Sequence, residues 1–246
     1  MEPIYTQPFT INDNAVDRYG RLKPSMILYY VQEVAGKHFD LIAMDYDQLA
    51  ERGMIWAIIR QRVQISRIPT RGETIRVETW PMPNTRVAFP RSVIAYDAEG
   101  QEVFRSISLW VLMDVKTRAM VLPAKSGLSV PGTVRGNELA PPGALPSKVM
   151  VNHRSRPVCF TDLDRNGHMN NTRYMDWIDD LLPSAFHENH IVKEFTVCYL
   201  SETREGQNLD LHWDFVEEGC LQVDAHREAS VPGEKSTRVF SAQVLF

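Results

Sequence analysis

Cysteine is scarce in this chain: 3 residues in 246, at Cys159, Cys198 and Cys220. An odd number without paired spacing argues against a disulfide framework or a cysteine zinc site, so the three read as free thiols. The sequence also lacks any apolar stretch near the roughly 20 residues that span a bilayer. Its first residues, Met1-Glu2-Pro3-Ile4-Tyr5, lack the basic-then-apolar order of a signal peptide, and the expected location is cytoplasmic, with no membrane insertion. A basic excess is missing too. The 27 Lys and Arg against 31 Asp and Glu leave a net charge of -4, which gives no support to a nucleic-acid partner. No Gly-rich phosphate loop is present, which speaks against a nucleotide cofactor, and none is expected. His38, His153, His187, His190, His212 and His226 show no metal-ligand spacing, so no metal site is assigned. At 43% hydrophobic and 24% charged, what remains is an ordinary globular composition that names no function.

What the chain does have is an internal repeat. Asp17-Arg18-Tyr19-Gly20 returns 147 residues later as Asp164-Arg165-Asn166-Gly167. At the same offset Ile27, Tyr30, Val31 and Val34 fall opposite Tyr174, Trp177, Ile178 and Leu181, apolar positions at helical spacing in both copies. Two equivalent amphipathic helices are predicted. Pro24 suits the first turn of one; Asn170 to Thr172 offer caps for the other, which Pro183 should stop. Further on, Arg71-Gly72-Glu73 lies 134 residues before Glu205-Gly206-Gln207, so the first copy carries a longer helix or connection. Alternating apolar residues from Ile65 onward and at Ile75, Val77 and Thr79 predict strands. So do the runs 87–96, 103–114, 221–228 and 237–246, with hairpin signals at Glu99-Gly100 and Pro232-Gly233. Each half reads as one helix and about five strands. Residues 126–148, rich in proline and glycine, read as a linker between a domain over 1–125 and a domain over 149–246. The fold class is α+β, and a helix wrapped by an antiparallel sheet, twice over, resembles a tandem hotdog fold.

The repeat supplies its own control for function. Asp164 has a counterpart in Asp17, whereas Asn166 faces Tyr19 and His168 faces Arg21. Asp164 alone therefore has a plain structural reading as a turn or cap residue. If the segment is extended, Asp164, Asn166 and His168 project to one side near a helix N-terminus, a place suited to the oxyanion of ester or thioester hydrolysis.

The run Asp164-x-Asn166-x-His168-x-Asn170-Asn171-x-x-Tyr174, followed by Trp177 and Ile178, resembles the plant and bacterial acyl-ACP thioesterases. The resemblance implies hydrolysis of a fatty acyl-ACP to free fatty acid and carrier, with Asp164, Asn166 and His168 in the site and acyl carrier protein as partner; a homodimer is left open. It also implies that the first half binds the acyl chain, with Met26, Ile27, Tyr30 and Val34 shaping the pocket; core packing is the alternative for these four. The family's strand segment ending in Glu-Cys matches Tyr199-Leu200-Ser201-Glu202-Thr203, which keeps Glu202 and puts Thr203 where the family has its cysteine. A cysteine nucleophile at that position is therefore ruled out. Glu202 becomes the candidate to activate water, with Asp164 the alternative base; in the first copy Ile68 stands in its place. Cys198 reads as a small buried apolar residue. Arg60, Arg62, Arg67, Arg71 and Arg76 form the candidate docking patch for an acidic carrier, or else ordinary solvated strand faces. An acyl-CoA thioesterase, a non-catalytic acyl-binding module and a hotdog dehydratase remain as alternatives.

Overall fold

The computed structural model describes residues 3–42, 46–228 and 236–246, and the chain divides into two compact units, Met1–Pro142 and Gly143–Phe246. The first unit runs β1 (Tyr5–Thr10), α1 (Pro24–Ile42), α2 (Tyr46–Glu51), β2 (Met54–Ile65), β3 (Thr74–Pro81), β4 (Phe89–Tyr96), β5 (Glu102–Asp114) and a short β6 (Met120–Val121). Its strands pair antiparallel in the order β1-β3-β4-β5-β2, with β6 on β5. The second runs β7 (Asn152–Pro157), α3 (Arg173–Asp179), α4 (Ser184–Asn189), β8 (Glu194–Tyr199), β9 (Asn208–Glu217), β10 (Cys220–Arg227) and β11 (Thr237–Leu245). Its order, β7-β9-β10-β11-β8, repeats that of the first strand for strand.

Helix α1 opens on Pro24, whose fixed φ suits a first helical turn, and buries Ile27, Tyr30, Val31 and Val34. Tyr30 stacks on Phe9 of β1 with ring centroids 4.4 Å apart. The equivalent residues Tyr174, Trp177, Ile178 and Leu181 are also buried, and Tyr174 stacks on Phe240 of β11 at 4.2 Å. Helix α3 is shorter than the spacing predicts, ending at Asp179 with Leu181 already in the following turn, and Pro183 caps α4 instead. This accounts for the smaller offset between the later parts of the two copies. The predicted strands at 87–96, 103–114, 221–228 and 237–246 match β4, β5, β10 and β11 to within two residues, and Gly100 makes its turn at φ 78°. Pro232-Gly233 lies outside the described residues. The strand expected from Ile65 onward is a correction: β2 ends at Ile65, having begun at Met54.

Residues 127–151 carry no helix or strand. The stretch up to Pro142 is laid on the first unit. Thr133 N–H donates to the Pro81 carbonyl at 2.8 Å, and Trp80 Nε1 donates to Glu138 at 3.2 Å beneath the Arg135 guanidinium. Gly132 approaches Pro83 so closely that a Cβ there would lie 2.5 Å from the Pro83 Cα. From Leu145 to Ser147 the chain is held by the second unit: Gln222 and Arg238 donate to the carbonyls of Pro146 and Leu145 at 2.7 and 3.0 Å, and Ser147 donates to Asp224 at 3.0 Å.

Candidate functional site

The site is built on a loop that both copies share. In the second unit Leu163 and Met169 bridge, Gly167 turns at φ 73°, and the Gly167 N–H donates to the Asp164 carbonyl at 3.0 Å. In the first, Val16 and Leu22 bridge, Gly20 turns at φ 75°, and its N–H donates to the Asp17 carbonyl, also at 3.0 Å. A positive φ of this kind suits glycine. The loop docks on a second loop in the same way in each copy, through bridges Arg21 to Thr70 and His168 to Arg204. The Leu22 N–H bonds the Pro69 carbonyl at 2.8 Å, and the Met169 N–H bonds that of Thr203 at 2.9 Å.

This geometry corrects the extended reading of residues 164–168: they form a tight turn, not a strand end. Asp164 Oδ1 accepts the backbone N–H of Asn166 at 2.8 Å and of His168 at 3.2 Å, while Oδ2 lies 3.4 Å from Asn166 Nδ2. Asp17 does the same for Tyr19 and Arg21 at 2.8 and 3.0 Å. Asp164 thus organises the loop, the structural reading its counterpart suggested.

Side chains then separate the copies. In the first, Arg21 folds back onto Asp17 at 3.0 Å and lies over the Tyr19 ring. In the second, the His168 ring turns to the neighbouring loop, where its Nε2 stands 3.3 Å from Glu202 Oε2. His168 is 16% and Glu202 36% exposed by side chain, so the pair is reachable from solvent. The Glu202 backbone is pinned by Arg227 Nη1, which donates to its carbonyl at 2.7 Å. Arg227 went unnoticed in the sequence because nothing local marks a β10 arginine as reaching that loop.

Thr203, by contrast, is buried, and its Oγ1 lies 2.9 Å from the Tyr174 hydroxyl. Burial pushes the Tyr174 hydroxyl up to about 12, so this contact stays a neutral hydrogen bond across ordinary pH. Below it, Trp177 Nε1 donates to the buried Asp162 at 3.2 Å. Asn170 Oδ1 accepts the N–H and hydroxyl of Thr172 at 3.0 and 2.9 Å, which steadies the start of α3. Cys198 is buried on β8, its thiol 3.8 Å from the Gly143 carbonyl. Asp164, Asn166, His168 and Glu202 therefore come together in the second unit.

Met26, Ile27, Tyr30 and Val34 lie on α1 of the first. Ile27, Tyr30 and Val34 are buried in its core and Met26 is partly exposed. Of the five arginines, Arg67 is paired with Glu73 and Asp97, Arg71 with Asp13, and Arg76 with Glu78, which takes up much of that patch's charge locally. Among the described residues no group of three or more His, Cys, Asp and Glu could hold a metal ion, and no helix is long and apolar enough to cross a membrane.

Comparison with known proteins agrees with this layout. The family model for the acyl-ACP thioesterase N-terminal domain matches residues 2–124, and that for the acyl-ACP thioesterase C-terminal domain matches residues 148–242. A palmitoyl-acyl carrier protein thioesterase of Cuphea hookeriana is 25% identical over 222 residues, 81% of this chain and 52% of that protein. The chain spans about half the length of such curated relatives. A crystal structure of an acyl-ACP thioesterase from Bacteroides thetaiotaomicron superposes with a TM-score of 0.81 at 23% identity, covering 99% of this chain and 97% of that one. The 12:0-ACP thioesterase from Umbellularia californica gives 0.82 at 20% identity, with coverages of 100% and 97%. These likenesses identify the fold as the α+β hotdog type.

Proposed function

The chain belongs to the acyl-ACP thioesterase family, and on that premise we propose that it hydrolyses a fatty acyl-ACP thioester to free fatty acid and carrier thiol, with the chemistry in the second unit. The observation that carries this reading is the His168–Glu202 contact at 3.3 Å, held by a loop whose counterpart in the first unit presents Arg21 and Ile68 instead. In the proposed reaction Glu202 takes a proton from water, and the water oxygen bonds to the acyl carbonyl carbon. The resulting tetrahedral oxyanion is met by donors from Asn166 and the adjoining turn. Collapse breaks the carbon–sulfur bond; the proton passes by way of His168 to the departing sulfur, leaving acid and thiol. Two features support Glu202 over Asp164 as base. Asp164 Oδ1 already accepts two backbone N–H bonds, and Glu202 is the carboxylate that stands next to the histidine. Thr203 is read as a buried packing residue and Cys198 as a buried thiol, which leaves direct attack by water without a covalent acyl-enzyme.

The first unit, by this reading, holds the acyl chain, with α1 residues Met26, Ile27, Tyr30 and Val34 along it, and the enzyme works in the cytosol at the end of fatty acid synthesis. The test is purified protein incubated with matched acyl-ACP and acyl-CoA substrates, with free thiol and free fatty acid both measured. Release of both products in equal amounts, faster from ACP, is expected. Fatty acid released as fast from CoA would move the assignment to an acyl-CoA thioesterase, and release from neither would defeat the hydrolase reading.

A further inference from the structure

The inner face of the first unit's sheet carries a polar row where an apolar core is expected. Arg91 of β4, Ser108 of β5 and Gln61 of β2 stand opposite one another across three neighbouring strands, and all three are buried. Arg91 as a whole is 1% exposed. Its Nη1 donates to His38 Nδ1 at 3.1 Å and to Thr79 Oγ1 at 3.2 Å, and its plane lies over Phe39 at 4.4 Å. Since arginine only donates, His38 must accept there and is neutral. Neither His38 nor Thr79 balances the charge, and no carboxylate of the described residues pairs with Arg91. Its Nε and Nη2, which form one edge of the guanidinium, have no hydrogen-bond partner. Burial lowers its pKa to about 9, so it remains charged at neutral pH. A buried charge of this kind is costly unless something pairs with it.

We propose that the Nε/Nη2 edge of Arg91 is a subsite for a carboxylate at the end of an aliphatic chain. That edge is the fork which binds a planar carboxylate through two parallel hydrogen bonds. A phosphate would bring more charge and more lone pairs than two donors satisfy in so buried a place. The surroundings suit the rest of such a chain: Phe39, Phe89 and Leu112 form an apolar cluster beside Arg91, and the partly exposed Trp56 and Trp110 carry it outward. The identity of the chain rests on the thioesterase reading. The carboxylate could then be the far end of a dicarboxylic acyl group or the acid group of a free fatty acid.

Binding is measured by calorimetry on the full chain with dodecanoate and with methyl dodecanoate, in the wild type, H168A, R91M and R91K. The wild type and H168A should prefer the acid by roughly tenfold or more, the size of a hydrogen bond to a charged group. R91M removes the charge and R91K keeps it without the fork; both should bring acid and ester near parity. Equal binding of acid and ester by the wild type, or a preference surviving in both Arg91 variants, overturns the proposal. A kinetic comparison separates the sources. If dodecanoyl-ACP bearing a terminal carboxylate is turned over faster than dodecanoyl-ACP and R91K loses that advantage, the occupant is a dicarboxylic acyl chain. Without such an advantage, Arg91-dependent acid binding assigns the subsite to the free fatty acid. Because the binding arm needs no turnover, a failed hydrolase assignment and a failed subsite give different results.

Discussion

At the scale of single residues, the two copies of the loop act as matched controls. His168→Ala should lower kcat by roughly 100-fold, and Glu202→Gln by at least as much, the usual loss for an acid–base or oxyanion group. Arg21→Ala, at the equivalent place in the first unit, should leave kcat nearly unchanged and act on KM. Steady-state kinetics with one acyl-ACP decides this, and a kcat loss in R21A as large as in H168A would refute the division of labour. Thr203→Ala has the opposite profile. It leaves the buried Tyr174 hydroxyl without its 2.9 Å partner, a cost of about 1–3 kcal/mol in stability. Turnover should stay within a few-fold of wild type. The relevant melts compare T203A with Tyr174→Phe/T203A, which removes both groups and should recover part of the loss.

At the scale of elements, the turn at Asp164 sets the direction of the His168 ring. Asp164→Asn keeps an acceptor for the Asn166 and His168 N–H groups, so both fold and activity should survive. Asp164→Ala loses it and should cost about 0.5–2 kcal/mol, as lost capping acceptors do, with activity falling too. An inactive but fully stable D164N would instead make Asp164 the base. A second turn differs in its acid response. Glu73 accepts two hydrogen bonds from Arg67, at 3.0 and 2.8 Å, together with the Thr70 N–H. The Arg67 bonds, foremost, pull its pKa down to about 2. A carboxyl depressed on folding contributes stability above its unfolded value and loses it as pH falls towards the folded one. The Glu73 contribution should therefore vanish between about pH 4.5 and 2. In the second unit the neutral Gln207 accepts from the Arg204 N–H at 2.9 Å at the equivalent turn. Thermal melts across that range should show a shallower acid decline for Glu73→Gln than for the wild type.

At the scale of the whole molecule, the repeat made the doubled fold legible because the same apolar spacing recurs at one offset and the polar turn falls at both ends of it. Strand β2 was harder to see. A bulge between Ile58 and Arg60 breaks the alternation on which strand reading depends. The meeting of His168 and Glu202 was legible only through the family resemblance and not through periodicity. It depends on how two loops, bridged through the backbone at His168 and Arg204, face each other. Sequence periodicity shows neither the bridge nor the reversal of the chain at Gly167. The connector adds one test of packing: Gly132→Ala places a methyl against the Pro83 backbone, and overpacking of this kind costs about 1–3 kcal/mol. In a domain of this size that corresponds to a fall in Tm of roughly 2–4 °C per kcal/mol.

The strand order has a consequence for synthesis on the ribosome. In each unit the last long strand to be made, β5 or β11, pairs on both sides, between β4 and β2 in one and β10 and β8 in the other. Each sheet therefore waits with a one-strand gap while its neighbours are already translated. The first gap closes once β5 has cleared the exit tunnel, long before β11 is made. During that interval the emerging second half exposes the unpaired edges of β8 and β10, which are templates for pairing with another chain. Nascent-chain aggregation and chaperone demand should concentrate in the interval before β11 emerges, and slowing translation there should lower the yield of native protein more than slowing it between the two halves.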